Sequence, residues 1–227
     1  MSNFKKIAKS QEKYYGDLFD KHGTGVDAVA SGKQIYKDLR FKKLSAIFED
    51  DDNFSIHDVG FGVGHYLDYI TKKYPRLHID YSGSEVTKRF VGHCQDKYPD
   101  KQFYHRDLSS SSFNEKYDYL VFGGTFYHKV DCSDEEFEAF VFRILKNTFK
   151  MSNKGIAFNF ITDFVDYKYP DLYYAKLDKI SDFVVNNLSR YFKIDHGYPL
   201  YEFTVHVFQE NHIKQQFEDD EFKKYFK

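Results

Sequence analysis

Apolar positions recur along this chain in two alternating rhythms. Residues 55–59 form a short apolar-leaning run that ends in Gly60-Phe61-Gly62-Val63-Gly64. Tyr66, Leu67, Tyr69 and Ile70 then mark one side of a helix whose other side carries Asp68, Lys72 and Lys73. Leu77, Ile79 and Tyr81 alternate with His78, Asp80 and Ser82, which predicts a second strand over 77–85. The same reading gives a helix over 86–97, a strand over 102–108, a loop over 109–112 and a strand over 117–122. A helix follows over 134–150, its Ser133 and Glu136 fitting a capping box, and then a strand over 155–161. An aromatic loop fills 162–174, a helix 177–192, and two strands (193–196 and 202–209) flank the turn Gly197-Tyr198-Pro199.

Strands separated by helices of this length need crossover connections, hence an α/β fold with a doubly wound, mostly parallel sheet. Seven strands are expected, the last two forming an antiparallel hairpin at the sheet edge. Ahead of the sheet, residues 1–21 read as one or two helical turns, with Tyr14, Tyr15, Leu18 and Phe19 on an apolar face. A break follows at 22–25, and after Ser31-Gly32 a helix over 34–48. The organisation expected is a single domain over 1–227: a helical cap (1–50), a core (55–209) and a tail (210–227).

The glycines carry the first chemical signal. Strand, glycine turn and helix place a ligand across the carboxyl end of a parallel sheet, with the helix-opening amides facing an anion. A dinucleotide loop spaces its glycines G-x-G-x-x-G; here Gly60, Gly62 and Gly64 alternate, and Asp58 stands two before the first. This D-x-G-x-G-x-G run resembles motif I of the class I S-adenosylmethionine-dependent methyltransferases, whose Rossmann-like fold matches the order of elements from 55 to 209. Tyr81-Ser-Gly-Ser-Glu85 is similar to that family's Y-x-G-x-D/E, which makes Glu85, ahead of Asp80, the residue for the cofactor's ribose hydroxyls. A carboxylate suits that task because it accepts two hydrogen bonds at once. Asp107 and Leu108 resemble the family's adenine contact, Asp58 the acid that faces the cofactor's ammonium, and Gly123 lies at the fourth-strand exit. Gln34 and Arg40-Phe41 resemble a pattern of a bacterial small-molecule subgroup, and Tyr14 and Gln34 fit a lid over the methionine end. Phe61 departs from the family, which usually has a small residue there.

The resemblance implies S-adenosyl-L-methionine as cofactor, S-adenosyl-L-homocysteine as product, and methylation of a small polar metabolite. O-methylation in bacterial surface-glycan or natural-product biosynthesis, on a sugar or sugar derivative, is the specific expectation. A hydroxyl acceptor benefits from a base. His128, after Gly123-Gly124-Thr125-Phe126, is the first candidate because imidazole titrates near neutrality, and Tyr127 is a second. Phe164, Tyr167, Tyr173, Tyr174, Tyr198 and Tyr201 are candidates for an acceptor pocket. Two other classes stay open: an NAD(P)-dependent oxidoreductase, against which the glycine spacing counts, and a cofactor-binding protein without turnover.

Composition narrows the partners. A net charge of −2 gives no general pull toward nucleic acid or anionic membrane. No apolar stretch approaches the ~20 residues of a membrane helix, and no signal-peptide pattern opens the chain. Cys94 and Cys132 are far apart and the histidines dispersed, so no metal site is expected, and the cytoplasm is the default location.

Overall fold

The computed structural model describes residues 3–29, 32–111 and 113–226; Ser31 and Ser112, read above as loop positions, lie outside them. The strands are β1 (Asn53–Val59), β2 (His78–Glu85), β3 (Gln102–His105), β4 (Tyr117–Phe122), β5 (Ser152–Thr162), β6 (Tyr174–Ala175), β7 (Phe192–Asp195) and β8 (Glu202–Phe208). The helices are α1 (Asn3–His22), α2 (Gln34–Ser45), α3 (His65–Lys73), α4 (Lys88–Lys97), α5 (Asp134–Phe149), α6 (Leu177–Asn187) and α7 (Glu210–Gln216).

Seven strands run in the order β3-β2-β1-β4-β5-β8-β7, and the two-residue β6 pairs with β5 beside them. From β3 through β5 every pairing is parallel; β8 runs antiparallel to both β5 and β7. The expected hairpin therefore closes the edge, with its antiparallel strand one place in and β7 outermost. β1 sits in the middle, so Asp58 is in register with Gly83 on one side and Val121 on the other. Apolar side chains cover both faces, as double winding requires. One core takes in α5 and α6 with Leu120, Phe122, Phe158 and Phe160; the other takes in α2, α3 and α4 with Ile56, Tyr81 and Tyr119.

Among the boundaries that differ from the sequence reading, three have a clear local reason. α1 is twenty residues long rather than one or two turns, because Ile7, Ala8 and Gln11 extend its buried stripe well upstream of the tyrosines. β3 ends at His105, where Arg106 turns its guanidinium onto Ser84 and Glu115. α6 ends at Asn187, its last turn closed by the Leu188 and Ser189 amides on the Val184 carbonyl, which releases Phe192 to open β7. The capping box of Ser133 and Glu136 forms with both bonds present. No helix among the described residues is long and apolar enough to cross a membrane.

Candidate functional site

β1, β2 and β4 all end at one side of the sheet, and a cleft of about 820 Å3, open at its mouth, lies over those ends. A second space of about 460 Å3 adjoins it and shares Val29, Gly60, Gly62, Gly123 and Gly124. Gly60 and Gly62 line both spaces, whereas Gly64 lines neither and packs against the Tyr98 ring. Gly60, Gly62 and Gly64 have φ of 74°, 57° and 84°, the left-handed region that glycine enters at no steric cost. A Cβ on Gly60 would lie 2.7 Å from Thr125 Cγ2, and one on Gly62 would lie 2.8 Å from Val29 Cγ1. The loop is thus gripped from β4 on one side and from the N-terminal segment on the other.

Phe61, the departure from the family pattern, has its own compensation. Its ring lies over Gly83 in β2 and meets Phe103 edge-on at 4.9 Å, leaving it 5% exposed. A Cβ on Gly83 would come within 2.5 Å of the Phe61 ring and 3.0 Å of the Asp58 carbonyl. Gly83→Ala is expected to cost about 1–3 kcal/mol, the usual range for overpacking. A lowered midpoint in thermal denaturation checks this, and an unchanged one removes the pairing of Phe61 with Gly83.

Two carboxylates flank the loop. Glu85, at the end of β2, accepts the Val86 and Thr87 amides on Oε1 (2.8 and 3.0 Å) and the Gly62 amide on Oε2 (3.2 Å). Burial raises its pKa, and the three amide bonds work against that rise. Asp58 is 1% exposed and accepts from the Tyr81 hydroxyl at 2.7 Å. Burial, reinforced by Glu85, pushes its carboxyl up to about 7, with the Tyr81 bond opposing. Asp80 is exposed and mid-strand, far back from this end of β2. Asp107 lines the wide end of the cleft, one oxygen accepting the Ser109 amide at 2.8 Å. Leu108 is buried beside it, its carbonyl tied to Asn147.

The candidates from α1, α2 and the β4 exit divide. Arg40 faces the second space and is clamped by Glu202 at 2.8 and 2.5 Å. Tyr127 joins them, donating to Glu202 at 2.6 Å and accepting from Asn159, beneath the Arg40 guanidinium. Burial and Glu202 hold its phenol well above its usual pKa, so it is neutral. Gly123 faces both spaces. Gln34 does not reach them: it is exposed, bonded to Asp38, on a separate outer groove. Tyr14 also stays outside; Tyr15, one residue on, lines the cleft. His128 lines neither space. Its Nδ1 lies 3.4 Å from the Tyr14 hydroxyl and 3.6 Å from Asp171, so it braces α1 against the chain after β4. Burial lowers its pKa and Asp171 partly offsets this. Of the acceptor-pocket aromatics, Tyr173 and Tyr198 are buried, bonded to Glu138 and Thr204, and Tyr174 is half-buried in β6. Phe164, Tyr167 and Tyr201 are exposed at the same end of the sheet.

No family model matches the chain. The methyltransferase candidate Rv1506c of Mycobacterium tuberculosis is 30% identical over 159 residues, covering 69% of this chain and 93% of that one. The chain belongs to the class I S-adenosylmethionine-dependent methyltransferases. Solved structures share this methyltransferase's fold at low identity. One is a Synechocystis magnesium protoporphyrin IX methyltransferase with bound S-adenosylhomocysteine, at TM-score 0.59 and 14% identity, covering 87% of this chain and 97% of that one. Another is a Burkholderia thailandensis 1,6-didemethyltoxoflavin-N1-methyltransferase, at TM-score 0.62 and 11% identity, covering 92% and 91%.

The methyltransferase also places residues at its cleft that the sequence reading passed over. Gln11 lines it and donates to the His128 carbonyl at 2.6 Å. Lys37 is 1% exposed and faces the second space. Each left a trace: a polar residue inside an apolar helical stripe, Gln11 between Ile7 and Tyr15, and Lys37 on the face of Arg40, Phe41 and Leu44.

Proposed function

We propose that this methyltransferase binds S-adenosylmethionine across the two joined spaces and transfers its methyl group to a small polar metabolite. The observation that carries the reading is the pair of buried carboxylates, Asp58 and Glu85, set either side of three left-handed glycines. Buried charge is costly unless it is matched, and a cationic, hydroxylated ligand matches both groups. Glu85, with three of its four acceptor sites on amides, keeps one for a ribose hydroxyl, Asp58 faces the ammonium, and Asp107 with Leu108 takes the adenine edge. Gly60, Gly62 and Gly123 line the spaces with backbone packed by Thr125, Val29 and Phe41, while Tyr15 and Val29 cover the ligand and keep water out. Arg40, fixed by Glu202, shapes the wall beside Tyr127.

The cofactor supplies a methyl already activated on a sulfonium sulfur. What remains for the chain is alignment and water exclusion, worth about 7–11 kcal/mol in favourable cases. The finer reading is O-methylation, with a sugar or sugar derivative as acceptor. The exposed rings of Phe164, Tyr167 and Tyr201 support it as stacking surfaces at the carboxyl end of the sheet. His128 lies outside both spaces against Tyr14 and Asp171, so in this reading it positions α1 over the cleft rather than taking the acceptor's proton. His128→Ala is then expected to leave S-adenosylhomocysteine affinity unchanged and to lower the thermal midpoint, with turnover of the folded variant largely kept. A loss of turnover of about 10²–10⁴-fold in a folded variant would instead make His128 a base.

Calorimetric titration with S-adenosylhomocysteine and with NAD(P)H tests the cofactor, and labelling of a cell extract with methyl-labelled S-adenosylmethionine tests transfer. Binding of the homocysteine nucleoside and a labelled small molecule are expected. Preferential binding of NAD(P)H would overturn the reading, and tight cofactor binding without any labelled product would reduce it to binding.

A further inference from the structure

Lys37 is buried at 1% exposure, yet its amine is held by a histidine rather than a carboxylate: Nζ lies 2.8 Å from His65 Nδ1. Arg40, three residues on and facing the same space, has its charge matched bidentately by Glu202. The other charged groups near Lys37 are engaged elsewhere. Asp38 on α2 is bonded by Gln34, and Asp68 on α3 by Lys97 and Tyr98. Burial, reinforced by Arg40, pushes the Lys37 amine down to about 8, while the two aspartates pull the other way. A buried cation in this position lacks its anion, and it faces the space that also holds Asp58.

His65 fixes where the amine points. Its Nε2 lies 3.1 Å from the Thr24 carbonyl, which can only accept, so Nε2 carries the proton and Nδ1 accepts from Lys37. Burial and Lys37 push this imidazole down to about 4, so the tautomer persists at neutral pH. Thr24 belongs to the segment 22–29, whose Val29 lines both spaces and rests on Gly62. Lys37, His65 and Thr24 thus form one hydrogen-bonded chain from the ligand space to that segment.

We propose that Lys37 receives the α-carboxylate of the bound nucleoside's amino-acid end, and that His65 ties this contact to the segment 22–29. The inference rests on S-adenosylmethionine being the ligand. It makes Lys37 a binding residue, with Asp58 taking the ammonium of the same amino acid, and His65 a positioning residue. A nucleoside thioether without the amino acid would keep the ribose and adenine contacts but lose both Lys37 and the tie to 22–29.

Titration of the full chain with S-adenosylhomocysteine and with 5′-methylthioadenosine, which lacks the amino acid, provides the test. Lys37→Met is expected to weaken S-adenosylhomocysteine by about tenfold to a hundredfold, the loss of one charged hydrogen bond, and to leave methylthioadenosine unchanged. Lys37→Arg should restore most of the difference. Hydrogen exchange on the unaltered protein is the second arm. S-adenosylhomocysteine should protect residues 22–29, methylthioadenosine should not, and His65→Ala should erase the distinction. Equal losses for both probes in Lys37→Met, no loss for either, or equal protection of 22–29 by both probes would overturn the inference. Failure of S-adenosylhomocysteine to bind the unaltered protein is a different result and would strike the cofactor reading itself.

Discussion

Glu85→Ala is expected to weaken S-adenosylhomocysteine binding by about tenfold to a hundredfold in a protein that stays folded. Two effects add. The carboxylate's one remaining acceptor site is offered to the ribose, and a charged hydrogen bond of that kind is worth about 1.5–3 kcal/mol. Glu85 also collects the amides of Gly62, Val86 and Thr87. Its loss leaves those donors without an acceptor and relaxes Gly62, whose φ of 57° shapes the loop. The variant should therefore also melt lower than the unaltered protein. Glu85→Gln separates the contributions, because its amide oxygen can still accept from Val86 and Thr87 while its NH2 faces the Gly62 amide as a second donor. Calorimetry with parallel circular dichroism reads both quantities. Unchanged affinity in folded Glu85→Ala would remove Glu85 from the ribose, and exposed Asp80 could not replace it from mid-strand.

Which parts of this site were legible in the sequence follows from which interactions are local. The glycine alternation is local: each glycine adopts positive φ within one turn, so spacing alone separates this loop from a dinucleotide loop. Glu85 was readable from the run Tyr81-Ser-Gly-Ser-Glu85, which is similar to the family's Y-x-G-x-D/E and closes β2. The carboxyl-end grouping of Asp58, Gly60, Gly123 and Asp107 followed from a parallel sheet. The α2 contacts were not legible. Arg40 meets Glu202 across 162 residues of sequence, and nothing in either segment announces the pairing. Gln34 and Lys37 lie three positions apart on one side of α2, yet only the second is buried, because Gln34 opens the helix ahead of the part that packs on β5 and β8. Tyr14 and Tyr15 pose the same problem: adjacent on α1, they point 100° apart, and only docking against α4 decides which reaches the cleft. His128 looked poised for chemistry because it follows the β4 exit, but its side chain turns toward Tyr14 and Asp171 instead.

Asp58→Asn is the second large effect, and its pH dependence carries the sign of the site. With its pKa raised by burial from 3.8 to about 7, Asp58 gains and loses its proton near neutral pH when no ligand is bound. A ligand ammonium favours the ionised form, so binding below pH 7 must first release a proton. Affinity for S-adenosylhomocysteine should then fall by up to about tenfold per pH unit as pH drops below 7. Asparagine removes both the attraction and the titration. Its affinity should be lower by about tenfold to a hundredfold at pH 8 and flat with pH from 6 to 8. Stability moves the opposite way. A carboxyl raised in the folded state stabilises the fold most below its unfolded pKa, and that contribution is lost as pH rises through about 7. The ligand-free asparagine variant should therefore match or exceed the unaltered protein in melting temperature at pH 8, while binding far less well. Greater stability with weaker binding is the signature of a charge held against solvation for a ligand's sake. A variant that lost both in parallel would instead make Asp58 a structural partner of Tyr81.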